Sequence, residues 1–427
     1  MKKIGIISLG CAKNLVDSEI MLASFVNANY QITNDPKEAD IIIVNTCAFI
    51  KEAKKEAINT IIDMAKYRKT LIVTGCLAER YYLDLKKYVP EANVIIPFSK
   101  YSHFNDYLKN IKSNKPIIFN PLNRVISTSN NVAYLRIAEG CNNFCSFCAI
   151  PYIRGRYRSR PIKEIIKEAT LLANYGIKEL TIIAQDTSAY GLDLKDGSNI
   201  TKLLTNLEKI KGLKHMRLLY LYPSEITNDF ISFMKKSKKV YPYFDIPLQH
   251  ASDKILKAMR RKGNHAKSLA ILNKIRKEIP NAIFRSTFIV GFPGETSTDY
   301  KQLLSFTNDF KFDHAGAFIY SREEGTVAYS LLNQVNIKTK QKRLDAFMNL
   351  QKKISYQRNL SHVNEIIEGL CIAKRDNNYY FLTKFNAPDD IDGSVFAISK
   401  KPLKLGEYYK LKVKDAFVYD LLVEILE

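Results

Sequence analysis

Short apolar runs alternate with helix-like segments along the first 115 residues of this 427-residue chain, and this alternation constrains the fold more than any other feature. The apolar runs are residues 4–8, 41–44 and 71–74. Each run precedes a stretch with helical spacing, at residues 14–27, 48–67 and 79–88. Strands that are apolar throughout and separated by helices are typical of a parallel sheet covered on both faces. We therefore predict an N-terminal parallel α/β domain over residues 1–115.

A second series of apolar runs begins after residues 116–131, a linker that is rich in Asn, Ser, Thr and Pro. Its strand candidates are residues 133–138, 179–184, 215–221, 243–246, 282–290 and 315–320. Six βα units in about 200 residues are typical of a partial TIM-type barrel. We therefore predict a central (β/α)6 barrel over residues 132–361, which ends in a long helix over residues 338–361.

Residues 362–427 differ in style from the rest of the chain. Short alternating strands are separated there by Pro, Gly and Asp residues. This pattern predicts a small all-β barrel of the OB-like kind. The expected fold class is therefore α/β, with an all-β region at the C-terminal end.

The chain carries a formal net charge of +22, and a basic surface of this size favours nucleic acid or a ribonucleoprotein as a partner. A lysine-rich composition with solvated faces explains the same charge. Residues 361–427 hold 9 Lys and Arg against 11 Asp and Glu, a net charge of −2. This last region is therefore not built to grip phosphate groups strongly.

The sequence also indicates a compartment. No apolar stretch reaches the length of about 18 residues that a transmembrane helix needs, so no membrane partner is expected. Lys2 and Lys3 precede an apolar stretch that ends at Cys11, but Gly5 and Ser8 interrupt it, which favours a strand over a signal peptide. Seven cysteines are an odd number and argue against a disulfide framework, so we predict a cytoplasmic protein with reduced thiols.

Three cysteines, Cys141, Cys145 and Cys148, lie within eight residues, directly after the first strand candidate of the central barrel. TIM-type barrels place their chemistry at the carboxyl ends of the strands. A cubane [4Fe–4S] cluster is usually held by four cysteine thiolates. Because this loop offers three, one iron would keep the open position that a catalytic metal site needs. The alternative is a structural zinc with a remote fourth ligand, although zinc sites favour C-x2-C pairs.

This spacing, with Phe147 before the third cysteine, resembles the signature of the radical S-adenosylmethionine enzymes. The resemblance implies that the open iron binds S-adenosylmethionine, whose cleavage yields a 5′-deoxyadenosyl radical that abstracts hydrogen. It also implies cofactor contacts for Phe147, Gln185, Gly291 and Glu295. For Phe147 a buried aromatic role remains open, and for the segment IVGFPGET, residues 289–296, an ordinary turn does.

Cys11, Cys47 and Cys76 lie far apart in the sequence, but each follows an apolar strand candidate. If these strands are parallel neighbours, the three thiols meet at the carboxyl edge of the sheet, where open α/β sheets bind their ligands. The placement predicts a second three-cysteine metal site, against the alternative that each cysteine packs as a small hydrophobe. Cys371 stands alone in the C-terminal region and is predicted to be structural.

Two three-cysteine sites, an α/β domain, a radical barrel and a small TRAM-like β-barrel together resemble the methylthiotransferase family over nearly the whole chain. One branch of that family modifies an adenosine in tRNA, and the RimO branch modifies an aspartate on the twelfth protein of the small ribosomal subunit. Segments that resemble the RimO branch are SLGCAKNLVDSE at residues 8–19, AQDTSAYG at 184–191, YLYP at 220–223 and APDDIDG at 387–393. The acidic C-terminal barrel agrees, because its charge complements a basic ribosomal protein. Residues 96–99 depart from the pattern, because they lack a glycine-rich turn.

The resemblance implies a mechanism with two [4Fe–4S] clusters that face one cavity at a domain junction. One S-adenosylmethionine would supply a methyl group, and a second would supply the radical that removes hydrogen from the aspartate β-carbon. The C-terminal barrel would dock the ribosomal protein, free or within the ribosome, and an external electron donor and a sulfur source are required. The nearest alternative is a tRNA adenosine methylthiotransferase, and an alternative of another class is a zinc-stabilised RNA-binding protein without catalysis.

Four arginines flank the first cysteine loop, at Arg154, Arg156, Arg158 and Arg160. They meet cofactor or substrate carboxylates, or they form a solvated run of charge. The sequence leaves both possibilities open.

Overall fold

The structure, a computed structural model, describes residues 1–111, 113, 115–129, 131–388 and 392–426. Within these residues, the N-terminal region forms a five-stranded parallel sheet in the order β2-β1-β3-β4-β5. The strands are β1 Lys3–Ser8, β2 Gln31–Ile32, β3 Ile41–Thr46, β4 Thr70–Gly75 and β5 Val94–Pro97. The helices are α1 Ala12–Asn27, α2 Lys51–Ala65, α3 Cys76–Arg80, α4 Tyr82–Tyr88 and α5 Phe104–Tyr107, and a 3₁₀ helix spans Phe98–His103. The parallel α/β fold predicted for this region is confirmed.

The N-terminal sheet differs from the prediction at its edges and in one helix. All six residues of the central strand β3 are buried, which explains its unbroken apolar run. The edge strands β2 and β5 were not predicted, because β2 has two exposed residues and β5 ends at Pro97, a residue suited to an edge. The helix predicted over residues 79–88 is confirmed over Tyr82–Tyr88 but is not continuous. It begins earlier, at Cys76, and breaks at Tyr81, whose backbone φ of −129° and ψ of 38° leave the helical region.

In the described part of the chain, the central region forms a six-stranded parallel sheet in the order β13-β12-β11-β10-β9-β6. The strands of this region are β6 Val132–Arg136, β7 Ala138–Glu139, β8 Arg158–Ser159, β9 Glu179–Ile183, β10 His215–Leu218, β11 Val240–Asp245, β12 Ile283–Val290 and β13 His314–Ile319. Its helices are α6 Ile150–Ile153, α7 Ile162–Asn174, α8 Ile200–Leu207, α9 Asn228–Lys236, α10 Asp253–Ala258, α11 His265–Glu278, α12 Ser297–Phe310 and α13 Ile337–Leu360, with 3₁₀ helices at Pro223–Glu225 and Val327–Ser330. The predicted partial (β/α)6 barrel is confirmed, and β7 and β8 form a short antiparallel ribbon beside it.

The two faces of the central sheet pack against different partners, because side chains alternate along each strand. On β11, Phe244 packs among the helices, whereas Tyr243 packs on the opposite face. The helix side is rich in aromatic contacts, such as Phe284 on Phe310, whose ring centroids lie 5.1 Å apart in an edge-to-face arrangement. No helix among the described residues combines the length and apolar character needed to cross a membrane.

The C-terminal region closes into a small barrel in the order β14-β15-β16-β18-β17, as predicted. Its strands are β14 Ile366–Arg375, β15 Asn378–Leu382, β16 Val395–Ile398, β17 Tyr408–Ala416 and β18 Leu421–Leu426. Its apolar interior, which includes the fully buried Cys371, is continuous with the face of the central sheet that carries Tyr243, where Val16 and Ile20 of α1 also pack. Arg217 of the sheet donates to the Thr383 carbonyl at 2.9 Å, and the Tyr243 hydroxyl donates to Asp392 at 2.5 Å. One face of the small barrel is therefore occupied by the sheet.

The segment APDDIDG, residues 387–393, lies at this contact. The Asp392 carboxylate also accepts from the Ala387 backbone N–H at 2.7 Å, which closes a tight loop. Residues 389–391 of the segment lie outside the described residues.

Candidate active site

The first cysteine set lies in the loop that follows β7, at the carboxyl end of the central sheet. Cys141, Cys145 and Cys148 are each half-buried. The Asn143 backbone N–H donates to Cys141 Sγ at 3.5 Å, and Arg261 Nη1 lies 3.7 Å from Cys145 Sγ. Burial, together with the neighbouring thiols, raises the pKa of Cys141 to about 11 and that of Cys148 to about 12. Three thiols that share one pocket and interact electrostatically are a donor set that a [4Fe–4S] cluster fits.

Glycine and backbone hydrogen bonds hold this loop in place. Gly140 has a φ of +78°, and a Cβ there would lie 2.2 Å from the Arg156 carbonyl oxygen, so the turn needs glycine. The Ser146 hydroxyl donates to the Ala258 carbonyl at 2.7 Å, and its N–H donates to the Met259 carbonyl at 3.0 Å. The loop that carries the thiols is thereby tied to the end of α10.

A buried carboxylate supports the same loop. The Asn143 side-chain amide donates to Asp186 Oδ2 at 2.7 Å, and the Ser188 hydroxyl donates to Asp186 Oδ1 at 2.7 Å. Burial raises the pKa of Asp186, although these hydrogen bonds oppose the rise. The segment AQDTSAYG therefore meets the cysteine loop directly.

The second cysteine set lies at the carboxyl edge of the N-terminal sheet. Cys11 precedes α1, Cys47 follows β3, and Cys76 opens α3 directly after β4. Burial raises the pKa of Cys76 to about 12, and the thiols of Cys11 and Cys47 add to the rise. A Cβ at Gly10 would lie 2.9 Å from Cys47 Sγ, so glycine leaves room beside that thiol. The sheet thus gathers three distant cysteines into one electrostatically coupled set, as a second cluster would require.

Arg154 links the second set to the central barrel. Its Nη2 lies 3.8 Å from Cys76 Sγ and donates to Asn14 Oδ1 at 2.5 Å. Its Nη1 lies 3.2 Å from Asp17 Oδ2 and 3.0 Å from Glu139 Oε2. The expectation of a solvated charge is wrong for Arg154, which is 2% exposed, because carboxylates from two regions surround it.

A second arginine completes this buried network. Arg136 Nη1 lies 2.5 Å from Asp17 Oδ1 and 3.1 Å from Glu139 Oε2. Burial alone would raise the pKa of Glu139, but the guanidinium groups of Arg154 and Arg136 hold it below its usual range. Charged groups this deeply buried are stable only when they are paired, so the network ties α1 firmly to the central barrel.

The other three flanking arginines behave differently. Arg160 pairs with Glu168 at 2.6 Å, and the Arg156 guanidinium lies 4.3 Å from the centroid of the Phe144 ring. Arg158 donates to the backbone carbonyls of its own loop and is exposed. A solvated charge therefore describes Arg156 and Arg158, which are both exposed, and neither Arg154 nor Arg160.

The two cysteine sets lie close to one another. Arg154, which contacts Cys76, follows Cys148 by six residues in the chain. Six residues span at most about 20 Å even when fully extended, and four of these residues form the compact helix α6. Both sets therefore belong to one junction between the N-terminal sheet and the central barrel.

The predicted cofactor-binding residues lie around the first set. Phe147 packs against an apolar cluster that includes Phe292 and Tyr320. Gln185 Nε2 donates to Glu139 at 2.6 Å, and its buried Oε1 has no hydrogen-bond partner among the described residues. Such an orphaned acceptor is what a bound cofactor or substrate would satisfy. Both assignments remain predictions.

Gly291 and Glu295 lie on the loop after β12. Gly291 has a φ of +71°, and a Cβ there would lie 2.3 Å from Lys340 Cγ. The buried Glu295 carboxylate accepts from the Gly291 and Phe292 N–H groups and lies 3.1 Å from Arg343 Nη1. Glu295 therefore holds its own loop in shape, and its contact with a cofactor remains a prediction.

A site for a single metal ion needs its ligands closer together than a cluster site does. Within the described ranges, no three His, Cys, Asp or Glu side chains are gathered so as to hold one metal ion. A cubane does not need so tight a group, because each thiolate binds a different iron.

Two family models match this chain. The one described as "Uncharacterized protein family UPF0004" matches residues 3–97, and the one described as "Radical SAM superfamily" matches residues 135–307. The ribosomal protein uS12 methylthiotransferase RimO of Aquifex aeolicus is 46% identical over 98% of this chain and 96% of its own length. The enzyme of the same description from Clostridioides difficile is 45% identical over 100% of this chain and 99% of its own. The chain belongs to the RimO family of methylthiotransferases.

Solved structures agree on the fold. The radical S-adenosylmethionine methyltransferase TsrM from Kitasatospora setae covers 74% of this chain and 73% of its own, with a TM-score of 0.54 and 12% identity. The cobalamin-dependent radical enzyme OxsB has a TM-score of 0.51 and 11% identity over 83% of this chain and 56% of its own. As a RimO family member of the radical superfamily, the chain is a radical S-adenosylmethionine methylthiotransferase that uses this cofactor and a [4Fe–4S] cluster.

Several residues of this RimO family site were missed by sequence reasoning. Asn14 and Asp17 recur one helical turn apart within α1, a helix that is otherwise largely apolar and buried. That spacing is the signal that could have found them, because buried polar residues on one helix face must meet partners. Arg261 lies far from both cysteine sets in the sequence, and Glu139, two residues before Cys141, belongs to no motif, so neither carries such a signal.

Proposed function

We propose that this chain transfers a methylthio group to the β-carbon of an aspartate of ribosomal protein uS12. The single observation that carries the proposal is the identity of 42–46% to uS12 methylthiotransferases over nearly the whole chain. The two cysteine sets at one junction support it, because the reaction needs a radical source and a sulfur carrier within reach of one carbon. The tRNA and zinc alternatives are not favoured by these relatives.

Each cysteine set holds one [4Fe–4S] cluster in this proposal. Cys141, Cys145 and Cys148 hold the radical cluster, and the auxiliary cluster is held by the set Cys11, Cys47 and Cys76. When bound, the clusters and S-adenosylmethionine supply the radical that removes hydrogen and the methyl and sulfur groups that are added. Three thiolates for each cluster leave one iron of each open to a ligand.

The other residues of the chain orient and shield these groups. Arg261 beside Cys145 and Arg154 beside Cys76 place a permanent positive charge next to each thiolate set. Because Arg154 is buried between Asp17 and Glu139, it also fixes the N-terminal sheet against the barrel. A rigid junction keeps the two sets at a constant separation and excludes water from the space between them.

The proposal includes partners and a compartment. The enzyme acts in the cytoplasm, on free uS12 or on the assembled subunit, and it draws on an external electron donor and a sulfur source. The outer surface of the C-terminal barrel docks uS12, because its inner face is occupied by the central sheet. The division into residues 1–115, 132–361 and 362–427 remains a prediction.

The test is the intact mass of uS12 from a strain that lacks this gene. We expect uS12 to lose the mass of one methylthio group, and a plasmid copy of the gene to restore it, whereas a Cys148→Ala copy should not. Mass spectrometry of tRNA nucleosides from the same strains serves as the control. Loss of a methylthioadenosine mark with unchanged uS12 would overturn the proposal.

A further inference from the structure

Lys13 is a buried lysine without a carboxylate partner among the described residues. It follows Cys11 by two residues, at the start of α1, and it is 7% exposed. Its Nζ donates to the Ala184 carbonyl at 3.2 Å and lies 3.5 Å above the centroid of the Tyr220 ring. Among the described residues, no Asp or Glu forms an ion pair with it. A buried ammonium in such surroundings is costly unless an anion joins it.

The carboxylates nearest to Lys13 are already engaged. Glu139 is held by Arg136 and Arg154 at 3.1 and 3.0 Å. Asp245 accepts from the Tyr220 backbone N–H at 2.9 Å. The charge of Lys13 is therefore not needed by these groups.

Lys13 connects the N-terminal region to the carboxyl edge of the central sheet. The residue belongs to the N-terminal region beside Cys11, yet its Nζ contacts Ala184, directly after β9, and Tyr220, which follows β10. Those strand ends form the edge of the central sheet where the radical loop lies. Tyr220 has a φ of +64°, a strained conformation for a non-glycine residue, and such strain is concentrated at functional sites.

A second polar atom next to Lys13 also lacks a partner. Gln185 follows the carbonyl that Lys13 contacts, and its buried Oε1 accepts no hydrogen bond from the described residues. A cation on the Ala184 carbonyl and an acceptor on the next residue match a ligand that carries both a carboxylate and a hydrogen-bond donor. An aspartate within a peptide carries both, in its side chain and in the backbone N–H groups around it.

We propose that Lys13 is the residue that recognises the target aspartate, through an ion pair between its ammonium and the substrate carboxylate. The inference rests on the proposed function, because it names the group that selects the substrate of that reaction. The ion pair holds the aspartate by its carboxylate and leaves the adjacent β-carbon in the space between the two cysteine sets. A substrate without an acidic group leaves the Lys13 charge uncompensated and is rejected.

The test compares two peptides on the anaerobic holoenzyme. One labelled peptide spans the uS12 target, and the other carries Asn in place of the target Asp. We expect fluorescence anisotropy to show binding of the Asp peptide at least about tenfold tighter than that of the Asn peptide, since a hydrogen bond between charged groups is stronger than one to a neutral amide. An enzyme that methylthiolates the Asp peptide but binds both peptides equally would overturn the role of Lys13.

Variants sharpen the assignment. Lys13→Met should abolish the preference for Asp over Asn, and Lys13→Arg should keep most of it because the charge remains. Lys340→Met is the matched control. Its ammonium is also buried, donates to the Tyr320 carbonyl at 2.9 Å and lies 4.8 Å from the Tyr320 ring, but it belongs to α13. It should leave the ratio of the two affinities unchanged.

Two further readouts separate Lys13 from other roles. Removal of a buried charge that has no carboxylate partner stabilises the folded state. Lys13→Met should therefore raise the melting temperature of the apoprotein by a few degrees. If Lys13→Met weakens the binding of S-adenosylmethionine as much as the binding of the Asp peptide, Lys13 pairs with the carboxylate of the cofactor, and the inference fails. It also fails if the variant keeps its preference for Asp while the reduction potential of the auxiliary cluster shifts. If the wild-type enzyme modifies tRNA but neither binds nor modifies either peptide, the proposed function is overturned instead.

Discussion

The two cysteine sets of this molecule are assembled in different ways. Cys141, Cys145 and Cys148 share one loop, whereas Cys11, Cys47 and Cys76 come from three strand ends that only the sheet brings together. The first set depends on local chain geometry. The second set depends on the whole N-terminal sheet and on Arg154, which the central barrel supplies. A site built from distant strands is therefore more sensitive to substitutions elsewhere in the fold.

The largest expected effect comes from removing one thiol at a time. Cys148→Ala should reduce the formation of 5′-deoxyadenosine to background, because the radical cluster loses a ligand. Cys76→Ala should still cleave S-adenosylmethionine but transfer no methylthio group. Each variant should lose about half of the bound iron. Chromatography of 5′-deoxyadenosine, with the mass of uS12, measures the difference, and loss of cleavage in Cys76→Ala would contradict this division of labour.

The next largest effect concerns the arginine that joins the two regions. Arg154→Ala should lower the free energy of unfolding by about 3–5 kcal/mol, because Asp17 and Glu139 would stay buried without this partner. Urea unfolding followed by circular dichroism measures the change. Arg158→Ala is the control, because that side chain is exposed and should change stability little. Equal losses in the two variants would show that Arg154 does not brace the junction.

Substitution of a glycine beside the second cysteine set should cause a somewhat smaller loss of stability. Gly75 precedes Cys76 with a φ of +89°, and a Cβ there would lie 2.3 Å from Asn45 Oδ1 and 2.5 Å from the Thr46 carbonyl. Gly75→Ala should therefore cost about 2–4 kcal/mol through strain and overpacking. Gly155→Ala, where the Cβ meets only the end of the Arg158 side chain at 3.1 Å, should cost about 1–2 kcal/mol. The same urea titration, with iron content after reconstitution, compares them, and a greater loss in Gly155→Ala would reverse the comparison.

The smallest effect concerns a second brace of the N-terminal region. Glu323 lies 2.8 Å from Lys54 Nζ and 3.1 Å from Arg80 Nη1, where Arg80 ends the helix that Cys76 begins. Burial raises the pKa of Glu323, but these cations outweigh it and hold the pKa below its ordinary value of 4.5. Its stabilisation is therefore complete above about pH 4.5 and is lost as the pH falls through the lower folded value.

Glu323→Gln should accordingly cost about 1–3 kcal/mol at pH 7, and this cost should shrink as the pH falls through the lowered pKa of Glu323. Urea unfolding at a series of pH values gives the difference between wild type and variant. A difference that stays constant with pH would mean that the carboxylate charge of Glu323 contributes nothing to the brace.

The secondary structure followed from the sequence where apolar runs were long and regular. The six strands of the central sheet were predicted, because buried parallel strands leave unbroken apolar runs. The C-terminal region was predicted as a small all-β barrel, without its strand order. The short edge strands β2 and β5 were missed, and the break at Tyr81 was not visible, because neither leaves a periodic signal. The placement of Arg154 could not be predicted, since its partners Asp17 and Glu139 become neighbours only in the fold.

The sequence alone determined the three-cysteine loop, the strand ends at which the other cysteines lie and the order of the elements. These features depend on spacing and on periodicity, which are local properties of a chain. The tertiary structure decided that Arg154 ties Cys76 to the central barrel and that Lys13 reaches from the N-terminal region to Ala184 without a carboxylate partner among the described residues. The contacts of Lys13 with Ala184 and of Arg154 with Asn14 join residues more than 100 positions apart. No local pattern encodes such contacts, because they form only when packing brings buried charged and polar groups together.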